Sequence, residues 1–277
     1  VSAVGLRREP AVGIVVTVQV RQSFPFMRAP FRLLLALVLL AAGLHAAAAP
    51  SELDAVITRA RARLGTEPVL AAVTAVRFQG TYETVGDGET PQKGTIEMIF
   101  QKPFQHRSTI TSSTGREEVT GLDGLESWMR IKEGKDQRLT LFPKEQTKTL
   151  RANTWQTLEF YRGVERIGGT VALLGEEAID GVLCAKVVFR HDTNLTWTRY
   201  FEKTTGRLVL TETAQGKTRE EGEIVTDGIR FPKKISSTVK GASGKDVTVT
   251  IVFEKVAVNE KFPANLFTVP TISSLRQ

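Results

Sequence analysis

The chain has 277 residues and a formal net charge of +7. Residues 1–48 carry five arginines (Arg7, Arg8, Arg21, Arg28, Arg32) against Glu9, so the remainder stands at only +3. With no run of five like charges and no basic stripe between aromatics, the charge is not a nucleic-acid footprint. One cysteine, Cys184, excludes an internal disulfide framework. It lies in the strand-like run GVLCAKVVF as a small core residue.

The first recognisable element is a leader. Met27, Arg28 and Arg32 form a basic start, Leu33 to Leu44 a dense apolar stretch, and Ala46 to Ala49 a small-residue end. The dense stretch is shorter than the roughly 20 apolar residues a spanning helix needs. The three parts in this order read as a secretory signal cleaved after Ala48. The expected organisation is residues 1–26 as a gene-model extension or extended leader, 27–48 as signal peptide, and 49–277 as one domain.

Ser51 opens a helix, with Asp54 three residues on as a weak capping box. Leu53, Val56, Ile57, Ala60 and Leu64 recur at helical spacing, and Gly65 stops the run. Arg59, Arg61 and Arg63 are expected on the solvent face. A short helical piece, Pro68 to Ala72, follows. From Val73 onward strand-like runs alternate with turn signals: GDG at Gly86, EGK at Glu133, DG at Asp180 and Asp227, TTG at Thr204, ASG at Ala242. Short strands joined by tight turns imply an antiparallel meander. One segment interrupts it. KTLRANTWQTLEFYRG, Lys148 to Gly163, reads as an inserted helix ending in glycine. A sheet of this kind must bury one face, and the two amphipathic helices are its natural covers.

Motifs for catalysis or metal binding are absent from the sequence. His106 and His191 have no ligand spacing. H-E-x-x-H, G-x-S-x-G, the phosphate loop and G-x-G-x-x-G do not occur. The adjacent pairs Glu117–Glu118, Glu176–Glu177 and Glu220–Glu221 point to opposite sides of a strand, which is poor geometry for a two-carboxylate site. The expectation is therefore a protein that is not an enzyme and needs no metal or other cofactor.

Six segments, in chain order, carry a family resemblance. FQKPFQHR (Phe100 to Arg107) is similar to the K/R-P turn of the LolA-like family of outer-membrane lipoprotein-sorting proteins. GLDGLESWM resembles its D-G-x-x-x-W segment, EEAIDGVLCAKV its D-G strand entry, and RYFEKTTGRLV its T-G hairpin. DGIRFPKKI matches D-G-x-x-F-P-x-x-I, and VAVNEKFPANLFTVP resembles the ending V-x-x-N…L-F-x-x-P. The resemblance spans about Leu53 to Pro270. It implies a mainly β fold with a few α-helices: a half-open, curved antiparallel sheet, an incomplete β-barrel, with helices over its concave face.

It also implies an apolar cavity between sheet and helices that takes up acyl chains of lipoproteins in the periplasm. Phe78, Met98, Phe100, Trp128, Trp155, Phe160, Phe189, Trp197 and Phe253 are the expected lining. Lys102 stands before Pro103 where the carriers have a cargo-holding arginine, and is expected at the rim; lysine cannot make arginine's planar fork. The implied function is a periplasmic lipid- or lipoprotein-binding carrier in outer-membrane lipoprotein sorting. The alternative is a periplasmic sensor or protein-interaction domain of the same fold. Acyl chains or other lipid, and an envelope membrane protein, are the implied partners; nucleic acid is not.

Overall fold

A computed structural model describes residues 51–86, 91–240 and 244–271. The leader, its cleavage point and the expected boundaries at residues 26 and 48 lie outside the described residues. So do Asp87 and Gly88 of the GDG turn and most of the ASG turn.

Helix α1 (Glu52–Leu64) starts where Ser51 Oγ accepts the Asp54 amide at 3.1 Å, and ends at Gly65. Helix α2 (Glu67–Ala71) follows, with Pro68 in its first turn. The first group of strands is β1 (Ala75–Gly86), β2 (Gln92–Gln101), β3 (Gln105–Ser112), β4 (Glu117–Leu122), β5 (Ser127–Glu133) and β6 (Asp136–Leu141). Helix α3 (Lys144–Glu159) and a 3-10 turn (Val164–Ile167) lead to the second group. It comprises β7 (Thr170–Ile179), β8 (Val182–Asp192), β9 (Leu195–Glu202), β10 (Leu208–Glu212), β11 (Gly216–Thr226), β12 (Ile229–Lys240) and β13 (Asp246–Val258).

All of these strands form one 13-stranded antiparallel sheet in the order β6-β5-β4-β3-β2-β1-β13-β12-β11-β10-β9-β8-β7. Each group is a meander that runs between the centre and an edge. The first and last strands meet in the middle, where Val76 pairs with Val258. Asn259 fixes that junction: its Oδ1 accepts the Thr74 amide at 2.7 Å and its Nδ2 donates to the Ala72 carbonyl at 3.2 Å. The edges β6 and β7 do not pair with each other, so the sheet is open, and α3 makes the crossing between them. At the β7–β8 and β11–β12 hairpins, Asp180–Gly181 and Asp227–Gly228 have positive φ at both positions. That is the two-residue turn whose twist suits paired strands, and Gly adopts it without a Cβ clash.

Register assigns the faces. Val76, Phe100, His106, Leu122 and Ser127 lie in one cross-strand row. Ser127 Oγ meets Thr147 Oγ1 of α3 at 2.7 Å, so this row faces the helices. The neighbouring row, Arg77, Ile99, Arg107, Gly121 and Trp128, faces the opposite way.

The helix layer differs from expectation at two points. Helix α3 begins at Lys144 and ends at Glu159, with the reversal carried by Phe160 (φ 47°) and Tyr161 (φ 72°) rather than by a glycine. Arg61 is not on a solvent face: only 5% exposed, it lies between Ile57 and Leu64 on the buried stripe. Its Nε and Nη2 clasp both Glu67 oxygens at 2.8 and 2.7 Å, and its Nη1 donates to the carbonyls of Glu159 and Phe160 at 2.8 and 2.7 Å. One guanidinium thus joins α1 to α2 and satisfies carbonyls at the end of α3 that have no partner within their own helix. The Arg61 side chain holds the Glu67 carboxyl below the usual carboxylate range.

Candidate functional site

The helices cover two different regions of the sheet's inner face. Over β7–β9, Val56, Ile57 and Ala60 of α1 and Ala152 of α3 pack directly on Val187, Phe189, Trp197 and Phe201. These side chains form one packed cluster, and we call this the filled side. Over β1, β2, β12 and β13 the inner face presents Phe78, Phe100, Phe231 and Phe253, capped by Leu158 and Phe160 at the end of α3. The rings touch edge to face, Phe78 standing 6.1 Å from Phe100 and 5.5 Å from Phe231. Here a cavity of about 210 Å³ remains. Leu64, Tyr161, Glu220, Arg230, Phe231 and Pro232 are shared with an adjoining chamber of about 540 Å³ beside Arg63, Arg207 and Glu223.

The inner cavity is two-sided. One wall is apolar: Phe78, Met98, Phe100, Phe160, Phe253 and Ile235. The other carries Gln156, Tyr161, Arg199 and Glu220. Arg199 is held between aromatic faces, its guanidinium 4.9 Å from the Tyr161 ring and 5.1 Å from that of Phe189. Its Nη1 donates to Gln156 Oε1, and Gln156 Nε2 lies 2.5 Å from His191 Nε2. Burial raises the Glu220 carboxyl above the ordinary carboxylate value, partly opposed by the charge of Arg199. Burial also raises Tyr161 and lowers Arg199. Arg199 and Glu220 retain some accessible area although protein surrounds them, because that area faces the cavity.

Five of the nine residues expected at a cavity line this one: Phe78, Met98, Phe100, Phe160 and Phe253. The other four do not. Trp128 lies on the outer face, fully buried against Gly121 and under the C-terminal segment, with Nε1 donating to the Phe267 carbonyl at 3.0 Å. Strand alternation puts it there, one register step away from the row that contains Phe100. Phe189 and Trp197 face the helices but belong to the filled side. Trp155 stacks on Phe104 at 5.6 Å and donates to the Arg162 carbonyl at 3.2 Å, away from the cavity lining. Lys102 does not line the cavity; its Nζ pairs with Glu159 Oε1 at 2.8 Å, tying the β2–β3 turn to the end of α3.

Sequence reasoning missed Tyr161, Arg199, Glu220 and Phe231. Phe231 had a signal, standing in the quoted segment DGIRFPKKI. Arg199 had none, because a single charge on a strand does not reveal which face it takes, and the pair Glu220–Glu221 showed that one of the two would face inward but not which. Among the described residues, no group of three or more His, Cys, Asp and Glu side chains is placed to hold a metal ion, and no helix is long and apolar enough to cross a membrane.

No family model matches the chain, and no curated protein matches it in sequence. Solved structures do. A LolA superfamily protein from Nitrosomonas europaea superposes with a TM-score of 0.52 at 11% identity, covering 78% of this chain and 96% of that one. A DUF1329 family protein from Desulfovibrio piger gives 0.51 at 10% identity, over 82% and 100%. A domain from Vibrio parahaemolyticus, described as belonging to an outer-membrane lipoprotein-sorting protein, gives 0.51 at 8% identity, over 80% and 97%. The fold is LolA-like: an open antiparallel sheet with helices on one face.

Proposed function

We propose that the protein is a periplasmic carrier that holds acyl chains of lipids or lipoproteins in the cavity between α3 and the sheet, in the service of outer-membrane lipoprotein sorting. The observation that carries this reading is the hollow itself: a cavity walled by Phe78, Met98, Phe100, Phe160 and Phe253 under the end of α3, in a LolA-like fold. A small domain gains stability by filling such a space, and the filled side next to it does so with the same residue types. Transfer of a chain out of water is worth about 0.8 kcal/mol per buried methylene. Even partial insertion therefore supplies several kcal/mol without specific polar chemistry. The leader reading at residues 27–48 supports delivery across the inner membrane. With Lys102 engaged by Glu159, the grip on cargo in this proposal comes from the cavity walls rather than from a free rim base.

Leu125, 83% exposed, and Leu141, beside the unpaired edge β6, favour the second reading, in which the sheet edge engages an envelope protein. Both readings describe a binding protein rather than an enzyme. The test is to purify the protein gently from a periplasm, extract it with organic solvent and analyse the extract by mass spectrometry. Stoichiometric acyl lipid supports the carrier. Protein free of lipid that also takes up no acyl chain in solution contradicts it.

A further inference from the structure

The polar wall of the cavity carries a feature that chain binding alone does not require. Arg199 projects from β9 on the inner face, between the rings of Tyr161 and Phe189. Only its Nη1 is matched, by Gln156. Its Nε is buried without a partner among the described residues. Glu220, on β11, lines the same wall and forms neither a hydrogen bond nor an ion pair with any described residue; the two side chains stand too far apart to pair. A guanidinium keeps its charge inside a protein. A buried one with idle donors is costly unless something completes it. Across the cavity stand the rings of Phe78, Phe100 and Phe253, which offer no hydrogen-bond acceptor.

We propose that the occupant is a single-chain amphiphile with a carboxylate head, the head seated on Arg199 and the chain laid along Phe78, Phe100 and Phe253. This rests on the acyl-chain reading and narrows it to a class of ligand. One cation on the cavity wall matches one carboxylate, charge for charge. An uncharged head would leave the cation unneutralised. A phosphate dianion would bring excess negative charge beside Glu220. The outer chamber, about 540 Å³, continues past Glu220 and gives a longer chain or a carried solute a way out toward Arg63 and Arg207. The combined space falls in the range of about 300–1,000 Å³ usual for small-molecule sites.

The test is titration of the whole mature protein with laurate, methyl laurate and dodecyl phosphate, followed by calorimetry. One charge-assisted pair corresponds to a preference of about tenfold or more for laurate over its methyl ester. Arg199→Gln is expected to abolish that preference while leaving methyl laurate binding in place, which also reports that the variant is folded. Arg199→Lys keeps the charge, loses the fork, and is expected to fall between the two. Equal affinity of wild type for acid and ester overturns this inference and leaves the acyl-chain reading standing. Dodecyl phosphate bound more tightly than laurate overturns the carboxylate assignment. Binding of none of the three overturns both. The wild-type comparison decides the matter even if the variants do not fold.

Discussion

The filled and hollow halves of the inner face are built from the same materials and differ in what the helix side chains leave beneath them. Phe189, Trp197 and Phe201 meet Val56, Ile57, Ala60 and Ala152 in one packed cluster, with a space of about 210 Å³ at its margin beside Ala152, His191 and Leu195. Phe78, Phe100, Phe231 and Phe253 meet the end of α3, where Leu158 and Phe160 cap a space instead of closing it. Aromatic content therefore does not by itself mark a cavity in this fold. Arg199 stands between the halves, stacked on Phe189 of one and facing the cavity of the other.

The sharpest way to break the filled half is to put a charge in it. Ile57 is 6% exposed and sits among apolar side chains. Ile57→Asp buries an unpaired carboxylate and is expected to cost several kcal/mol, about 4 or more, in urea unfolding. Unfolding at the wild-type midpoint would mean that α1 does not dock. Truncation compares the halves directly. Phe189→Ala, in the filled half, is expected to cost about 3–5 kcal/mol. Met98→Ala, at a wall that already faces space, removes fewer contacts and is expected to cost about 1–2 kcal/mol. Equal losses at the two sites would contradict the distinction.

Acidification separates the halves by another route. Burial pushes His106, whose ring lies 4.7 Å from that of Phe100, down to about 4, and His191, beside Trp197 of the filled half, also to about 4. A histidine whose folded pKa is depressed binds fewer protons folded than unfolded. Its contribution is present above the unfolded value near 6.5 and is lost as pH falls from there toward 4. For His106, 7% exposed, the loss between pH 7 and pH 5 is about 2 kcal/mol. Glu220 shifts in the opposite direction, so the term is read as the difference in pH dependence between wild type and His106→Leu. The smallest effect is expected at the turn. Lys102→Ala breaks a partly exposed pair with Glu159 and should cost no more than about 1 kcal/mol in stability, with little change in ligand uptake.

Much of this arrangement was legible in the sequence, and the misses have physical causes. The D-G turns, the Ser51 cap and the apolar spacing of α1 placed the meander and its first cover. Asn259 and Phe267 of the closing segment turned out to lock β1 to β13 and to cover Trp128. The faces of lone residues were not legible. Trp128 went to the outer face, and its only local signal was Gly121, across the strand pair, whose missing Cβ makes room for the indole. Arg61 carried a signal that charge concealed: it follows Ile57 by four residues and so shares its stripe. The end of α3 could not be read because Phe160 and Tyr161 adopt a left-handed backbone that non-glycine residues seldom take. Arg199 and Glu220 come together only through the pairing of β9, β10 and β11.

The central claim, that the hollow half is the binding site, is tested most directly by filling it. Met98→Trp places a large ring into the cavity of about 210 Å³ from the β2 wall, at a site with room for it. Uptake of a fluorescent acyl chain should be lost in Met98→Trp, while its far-ultraviolet circular dichroism and cooperative unfolding persist. The same chain should still bind Trp155→Glu, whose ring lies against Phe104 outside the cavity lining. Undiminished uptake by Met98→Trp, or loss confined to Trp155→Glu, would contradict the account.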